Sequence, residues 1–518
     1  MEDLSLYLGL ALLSLLAVLT SWRRRSLAHG GNGLRLPPGP WNLPVVGSLH
    51  HIAGQLPHRA MREQARRHGP VMLLRVGEVP TVVLSSREAA REVLKTHDVA
   101  FASRPLSATT RVITNGGRDI IFTPYGDLWR QLRKIAMTEL LSARRVLSFR
   151  RVREEEVAAI LRAVATAASV SPRPVPVNIS ALMSALVSDA TARTVFGDRC
   201  KERDLFVRQL SPISELAAGF NPADLWPSSW LARRLSRAMR RAEVCRDTVF
   251  RILDGIIKEH LESMEEDRGG AGEAEDILHV LLKIHKDAEL QIPLDMDVIK
   301  AVIFDIFAAG SETSAAALDW AMAELIRNPK AMEQATAEVR GAFGAHGTVP
   351  ERALGELRYL QLVIRETFRL HPPLPLLLPR ESRERTCRVL GYDVPQGTTV
   401  LVNAWALGRD ERYWPMDPDE FRPERFADAG GGASAVDFKG ADFELLPFGA
   451  GRRMCPGMGF ALAMVELALA SLLFHFDWEA PGMADPTKLD MSEAFGVTVR
   501  RKDDLLLRPI LRVPVPGV

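Results

Sequence analysis

The chain has 518 residues, 47% of them hydrophobic and 25% charged, a globular balance that excludes whole-chain disorder, collagen and fibrous repeats. Lys plus Arg number 66 against 64 for Asp plus Glu, a net charge of +2, so there is no basic excess for nucleic acid. The four cysteines (Cys200, Cys245, Cys387, Cys455) are widely spaced with no CxxC pair, which argues against a zinc module or a stapled secreted scaffold and for a reducing compartment.

In chain order, Leu4 to Trp22 are uncharged, and Arg23, Arg24 and Arg25 follow at once. As a helix rising ~1.5 Å per residue, this stretch roughly matches a ~30 Å hydrocarbon core. Glu2 and Asp3 precede it, the reverse of a secretory signal, so residues 1–25 read as a retained anchor with all that follows in the cytosol. The Asn178-Ile179-Ser180 sequon then stays unglycosylated. Residues 26–45 form a basic, Pro-rich hinge: a Gly-containing stretch, His29 to Gly33, runs into Leu36-Pro37-Pro38-Gly39-Pro40-Trp41, whose prolines stiffen it. Residues 46–518 show no repeat and no internal composition shift, which predicts one large, mainly helical domain with small β-sheets.

Val71 to Val76 and Thr81 to Ser85 read as short strands, and about Arg87 to Ser263 as mainly helical. Within it, Trp129 and Arg133 by themselves read as a core tryptophan and a surface arginine. Phe220 to Leu231 carries two tryptophans and reads either as a packed loop or as one dipping into a membrane interface. Met264 to Asp276, acidic and Gly-rich, reads as an exposed loop.

Asp297 to Arg327 reads as one helix of roughly 45 Å, stopped before Pro329. At its centre, Ala309-Gly310-Ser311-Glu312-Thr313-Ser314 interrupts an apolar run. Thr313 can bond the carbonyl of Ala309 one turn back, opening the helix and leaving room for dioxygen beside a proton-carrying carboxylate. A back-bonded Thr and a solvated Glu without a role have the same pattern. Glu366 and Arg369 stand i, i+3 on a helix ending before Pro372, a spacing that is usually a surface ion pair. A strand around Thr398 to Asn403, the segment Phe421-Arg422-Pro423-Glu424-Arg425-Phe426 and a loop with Gly430 to Gly432 follow.

The most informative string is Pro447-Phe448-Gly449-Ala450-Gly451-Arg452-Arg453-Met454-Cys455-Pro456-Gly457, ahead of an apolar helix from about Met458 to Phe474. Its glycines let backbone approach a flat partner, and a helix N-terminus favours a Cys455 thiolate. A thiolate beside Arg453 suits an iron porphyrin with acidic arms; a free cysteine buried in a turn is the plainer alternative.

With that string on the page, the whole chain resembles the cytochrome P450 family, specifically the membrane-bound plant enzymes of the 71 clan. The family's Phe-x-x-Gly-x-Arg-x-Cys-x-Gly is met by Phe448, Gly451, Arg453, Cys455 and Gly457, and its Ala/Gly-Gly-x-Asp/Glu-Thr by Ala309, Gly310, Glu312 and Thr313. The resemblance implies haem b ligated through Cys455, with Thr313 handling oxygen and Glu312 delivering protons. It implies a buried triad of Glu366, Arg369 and Arg425, and haem propionates held by Trp129, Arg133, Arg380 and Arg453. Electrons are expected from NADPH through a reductase docking near Arg130, Lys134 and Arg452, with cytochrome b5 as a further partner, on the endoplasmic reticulum membrane.

The substrate segments implied by position are Leu106 to Phe122, Phe304 to Thr313, Leu374 to Leu378 and Phe495 to Val499. They are mostly apolar: Ile113, Ile120, Ile121, Phe122, Phe304, Leu374, Leu377, Leu378 and Val497. That lining predicts hydroxylation of a lipophilic plant metabolite, a sesqui- or diterpenoid first and an aromatic or indole-type compound second. Arg111 and Arg118 leave room for an acidic substrate. The competing classes are hydroperoxide rearrangement, which in this family often lacks the helix threonine, and a non-catalytic haem sensor or membrane scaffold.

Overall fold

The computed structural model describes residues 33–169, 175–197, 202–266, 275–287, 290–427, 435–483 and 485–518. The expected anchor, the first part of the hinge, the Gly430 to Gly432 loop and most of the Met264 to Asp276 loop lie outside them.

The helices that position the site are α1 (Asp127–Ile135), α2 (Arg150–Ser169), α3 (Ile179–Phe196), α4 (Arg237–Glu266), α5 (Met296–Arg327), α6 (Arg358–Leu370) and α7 (Met458–His475). The strands are β1 (Val71–Val76), β2 (Val79–Leu84), β3 (Val177–Asn178), β4 (Arg380–Glu381), β5 (Thr386–Val389), β6 (Tyr392–Pro395), β7 (Thr399–Val402), β8 (Phe476–Glu479) and β9 (Leu506–Leu511). One sheet runs β1-β2-β7-β4, antiparallel except for the parallel β2–β7 pair. A second has the order β3-β9-β8, and β5 and β6 form a hairpin. Helix with small sheets, as expected, is the architecture.

The long central helix starts where Asp295 caps it, its Oδ1 accepting from the Val298 amide at 2.9 Å, and stops at Asn328 before Pro329. Such a cap satisfies an otherwise unpaired first-turn N–H. Its C-terminal half packs Leu318, Met322 and Leu325 into a core with α2, α3, α6 and α7. Its N-terminal half packs Val298, Ile299 and Val302 into a second core with α1 and α4. Both α5 and α7 are apolar and long enough to cross a membrane, yet most of each is buried within the domain, as core helices are.

Two expectations are corrected. The helix α4 continues to Glu266, three residues into the segment read as loop. Around Thr313 the α-helix is uninterrupted, so back-bonding leaves the helix closed, and the space beside it comes from small side chains. Phe220 to Leu231 holds the short helix Pro222–Leu225 and the start of Trp230–Leu235. The Trp226 indole N–H donates to the Val45 carbonyl at 3.0 Å, while Trp230 is 72% exposed.

Glu366, Arg369 and Arg425 meet as a fully enclosed network. The Glu366 carboxylate accepts from Arg369 at 2.6 and 2.7 Å, from Arg425 Nε at 2.9 Å and from the Arg422 amide at 2.8 Å. Remaining guanidinium N–H groups reach the carbonyls of Gly408, Pro418, Glu420 and Asp417. All three guanidinium nitrogens of Arg369, and Nε and Nη2 of Arg425, find acceptors, which is what makes buried charge tolerable. The network ties α6 to the segment 408–425 behind the cysteine loop. Replacing Glu366 by Gln leaves two arginines under-compensated and is expected to cost about 3–5 kcal/mol, read as a lower urea midpoint.

Candidate active site

The cysteine loop is shaped by glycine. Gly449 and Gly451 have φ of +68° and +69°, conformations that L side chains rarely adopt. A Cβ on Gly451 would sit 2.2 Å from the Leu94 carbonyl oxygen, so the loop can lie against that chain only with glycine there. The Cys455 amide donates to the Phe448 carbonyl at 2.9 Å. Phe448 in turn wedges edge-on between Phe368 and Phe438, ring centroids 5.2 and 5.6 Å away. Gly457 is the N-cap of α7, which places Cys455 just before a helix N-terminus, as its sequence implied.

Cys455 is exposed and lines a cavity. Burial pushes its thiol up, while the Gly457 amide and the Arg133 guanidinium pull it back down. The cavity is bordered by both the cysteine loop and α5. Cys455, Phe448, Gly449 and Gly457 line one side, and Ala309, Gly310 and Thr313 of α5 line another. The Thr313 hydroxyl donates to the Ala309 carbonyl at 2.6 Å.

Four arginines crowd the cavity: Arg104, Arg133, Arg380 and Arg453. Trp129 also lines it; its indole donates to the Ile120 carbonyl at 3.2 Å, and the Arg453 guanidinium stacks 4.3 Å from its ring centroid. Burial and mutual repulsion lower Arg453 to about 9 and Arg380 to about 10, and Arg104 well below its ordinary value. Asp98, 3.7 Å from Arg380, and Asp119 are the carboxylates that oppose them. So many desolvated like charges fit an occupant with acidic arms, and with the open sulfur they suit a haem.

Among the proposed substrate residues, Leu374, Leu377 and Leu378 line this cavity, as do Ile120 and Ile121. Ile113, Phe122, Phe304 and Val497 fall outside its lining. Phe304 is on another stripe of α5 from Ile306, Ala309, Gly310 and Thr313 and packs edge-on against Phe206, centroids 6.3 Å apart. Ile113 belongs to the same helical core. The Phe122 amide is turned to Asp119, and the Val497 amide to the Ser214 carbonyl at 3.3 Å. Glu312 is also absent from this lining; it borders a second, polar cavity on the far side of α5.

Two carboxylates at the site went unremarked in the sequence. Asp305 Oδ2 accepts from the Ile120 and Ile121 amides at 2.9 and 3.1 Å, fastening that loop to α5. Asp119 Oδ1 accepts from the amides of Phe122 and, at 3.2 Å, Thr123. The Arg104 guanidinium, also unremarked, donates to the carbonyls of Ile121, Leu378 and Pro379 at 2.9–3.0 Å. The signal for Asp305 was present, a lone carboxylate inside Val302-Ile303-Phe304-Asp305-Ile306-Phe307, because buried charges need partners. Nothing comparable marks Asp119.

A cytochrome P450 family model matches residues 37–507. A dolabradiene monooxygenase of Zea mays is 48% identical over 515 residues, covering 99% of each chain. A zealexin A1 synthase of the same plant is 48% identical over 483 residues, covering 93% of each. The fold of a zebrafish cytochrome P450 solved with progesterone superposes with a TM-score of 0.73 at 25% identity, covering 88% of this chain and 99% of that one. The chain belongs to the cytochrome P450 family, in its plant 71 clan, and is a monooxygenase that uses haem b and NADPH-derived electrons passed on by a reductase.

Burial raises the Asp119 carboxyl from 3.8 to about 6, so the folded protein keeps this proton to higher pH than the unfolded chain does. Stability from this group is therefore full below 3.8 and is lost as pH rises through about 6. Relative to Asp119→Asn, the wild-type melting temperature should fall across that window; parallel curves would remove Asp119 from the linkage.

Proposed function

We propose that this monooxygenase hydroxylates a lipophilic sesqui- or diterpenoid, with Cys455 as the haem ligand. The observation that carries the reading is one cavity shared by the open Cys455 sulfur, the Thr313 hydroxyl, four arginines and a leucine- and isoleucine-rich wall. When bound, the haem supplies dioxygen activation, the chemistry of its axial thiolate class. Arg133, Arg380 and Arg453, with Trp129 stacked on Arg453, are the residues that would hold its acidic arms.

Ile120, Ile121, Leu374, Leu377 and Leu378 hold the substrate by burial, with few polar groups to orient it. Its shape against that wall therefore sets which carbon is presented. The same wall keeps bulk water from the reacting carbon. Because the Thr313 hydrogen is committed to the Ala309 carbonyl, its oxygen lone pairs are free to accept from the cavity, and Glu312 on the other side of the helix supplies protons to it. The terpenoid names of the maize relatives favour this substrate class.

On the outer surface, Arg130 and Arg452 both lie over the Tyr125 ring, 5.7 and 5.8 Å from its centroid, and with exposed Lys134 they form the basic face we assign to the reductase and to cytochrome b5. Residues 1–25 are read as the single-pass anchor in the endoplasmic reticulum, with Trp230 meeting the same membrane.

Replacing Cys455 by Ala should abolish the thiolate-type absorption band of the reduced carbon-monoxide complex; survival of that band would reassign the ligand. Thr313→Ala should release several-fold more peroxide per NADPH while retaining the band. Microsomes carrying the protein and a plant reductase, offered a panel of sesquiterpene and diterpene olefins, should form hydroxylated product from at least one. Turnover confined to aromatic substrates would shift the substrate class and leave the haem site untouched.

A further inference from the structure

The two faces of α5 border different spaces. Asp305, Ile306, Ala309, Gly310, Thr313, Ser314 and Ala317 face the haem cavity, whereas Ser311, Glu312, Ala315, Ala316 and Asp319 face the second cavity. The two sets lie on opposite sides of a 3.6-residue helix. Glu312 and Asp319 are seven residues apart, almost two turns or about 10.5 Å along one stripe. Only Ala315 and Ala316 stand between them, leaving the stripe hollow.

The second cavity is lined by serines and charged side chains together with Val207, Leu210 and Phe495. Ser180 of α3 donates to Asp319 Oδ1 at 2.7 Å and accepts the Leu505 amide at 2.9 Å. Ser214 and Thr498 border the cavity with Glu312 and pull its carboxyl down against the effect of burial. The charged groups facing the pair are Arg500, Arg501, Lys502 and Asp504 of the C-terminal segment and Glu215 beside Ser214. Ser311 is 2% exposed and borders the cavity, and its hydroxyl has no partner within the protein. A buried hydroxyl without a protein partner, in a polar space, is where ordered water belongs.

We propose that this cavity is the enzyme's proton antechamber, in which Asp319 takes protons from solvent and passes them through water to Glu312. Hydroxylation consumes one dioxygen, two electrons and two protons for each hydroxylated product and water formed. Each proton enters from solvent at the Arg500–Asp504 mouth, protonates Asp319, moves by exchange along water held by Ser311, and replaces the one Glu312 has released toward Thr313. Asp319 touches neither substrate nor haem; it is a relay residue acting through Glu312. Desolvation raises Glu312 to about 7 and Asp319 to about 6, so both can hold and release a proton near neutrality. The inference rests on the proposed role of Glu312 and Thr313.

The test uses the full-length haem-loaded protein in membranes. The infrared carbonyl band of protonated Glu312, identified by its loss in Glu312→Gln, is titrated with pH and timed for exchange in D2O without turnover. Asp319→Asn should slow that exchange several-fold and shift the titration. Ala315→Leu, which fills the stripe with hydrocarbon and spares both carboxyls, should slow exchange likewise and covers the case in which Asp319→Asn does not fold. With an olefin that the microsomal panel shows to be turned over, both variants should release several-fold more peroxide per NADPH, with unchanged spectral binding of that olefin. Unchanged exchange and unchanged peroxide in either folded variant overturn the antechamber. Unchanged coupling in Thr313→Ala instead overturns the role of Thr313 itself, whatever Asp319 does.

Discussion

The constraint on which the site depends is the crowding of like charge around an empty space. Arg104, Arg133, Arg380 and Arg453 are drawn into one region, three of them buried. Each pays desolvation and repels its neighbours, and Asp98 and Asp119 offset only part of that. The remainder is best answered by an anionic cofactor, so that folding and cofactor uptake are coupled. The buried Glu366 network holds α6 and the segment 408–425 in register while this charge is accommodated, because its carboxylate is shared by both arginines and the Arg422 amide.

What was legible in the sequence follows from how local each feature is. The extent of α5 was readable because a long, mostly apolar run stops before Pro329; its cap at Asp295 lies two residues ahead of the start expected at Asp297. The Cys455 loop was readable because glycine, arginine and cysteine at fixed spacing have few other uses together. The Glu366 network was less so, since Glu366 and Arg369 at i, i+3 look like a surface pair until segment 417–425 arrives from elsewhere in the chain. Leu374, Leu377 and Leu378 line the cavity, while Phe304 does not, because assigning a face of α5 needs its rotation about its own axis. Arg104 was illegible because its carbonyl partners are brought close only by tertiary folding, and Asp119 because the local turn it closes on the Phe122 and Thr123 amides has no distinguishing sequence mark.

The loop from Ile120 to Thr123 shows how densely that tertiary layer is used. It accepts from Arg104, Arg453 and Trp129 through its carbonyls and donates to Asp305 and Asp119 through its amides. A segment with no regular secondary structure is thus fastened from both of its polar sides, and its isoleucine side chains are left to the cavity. Fastened backbone and cavity-lining side chain are separated within four residues.

The oil-and-water division across α5 has a consequence for how such an enzyme can diverge. Apart from Asp305, Thr313 and Ser314, the face toward the haem cavity is apolar, the other face carries Ser311, Glu312 and Asp319, and no side chain of α5 lines both cavities. Substitutions that resize the greasy chamber for a new skeleton therefore leave the wet compartment undisturbed, so that selectivity and turnover chemistry are free to drift on separate evolutionary clocks.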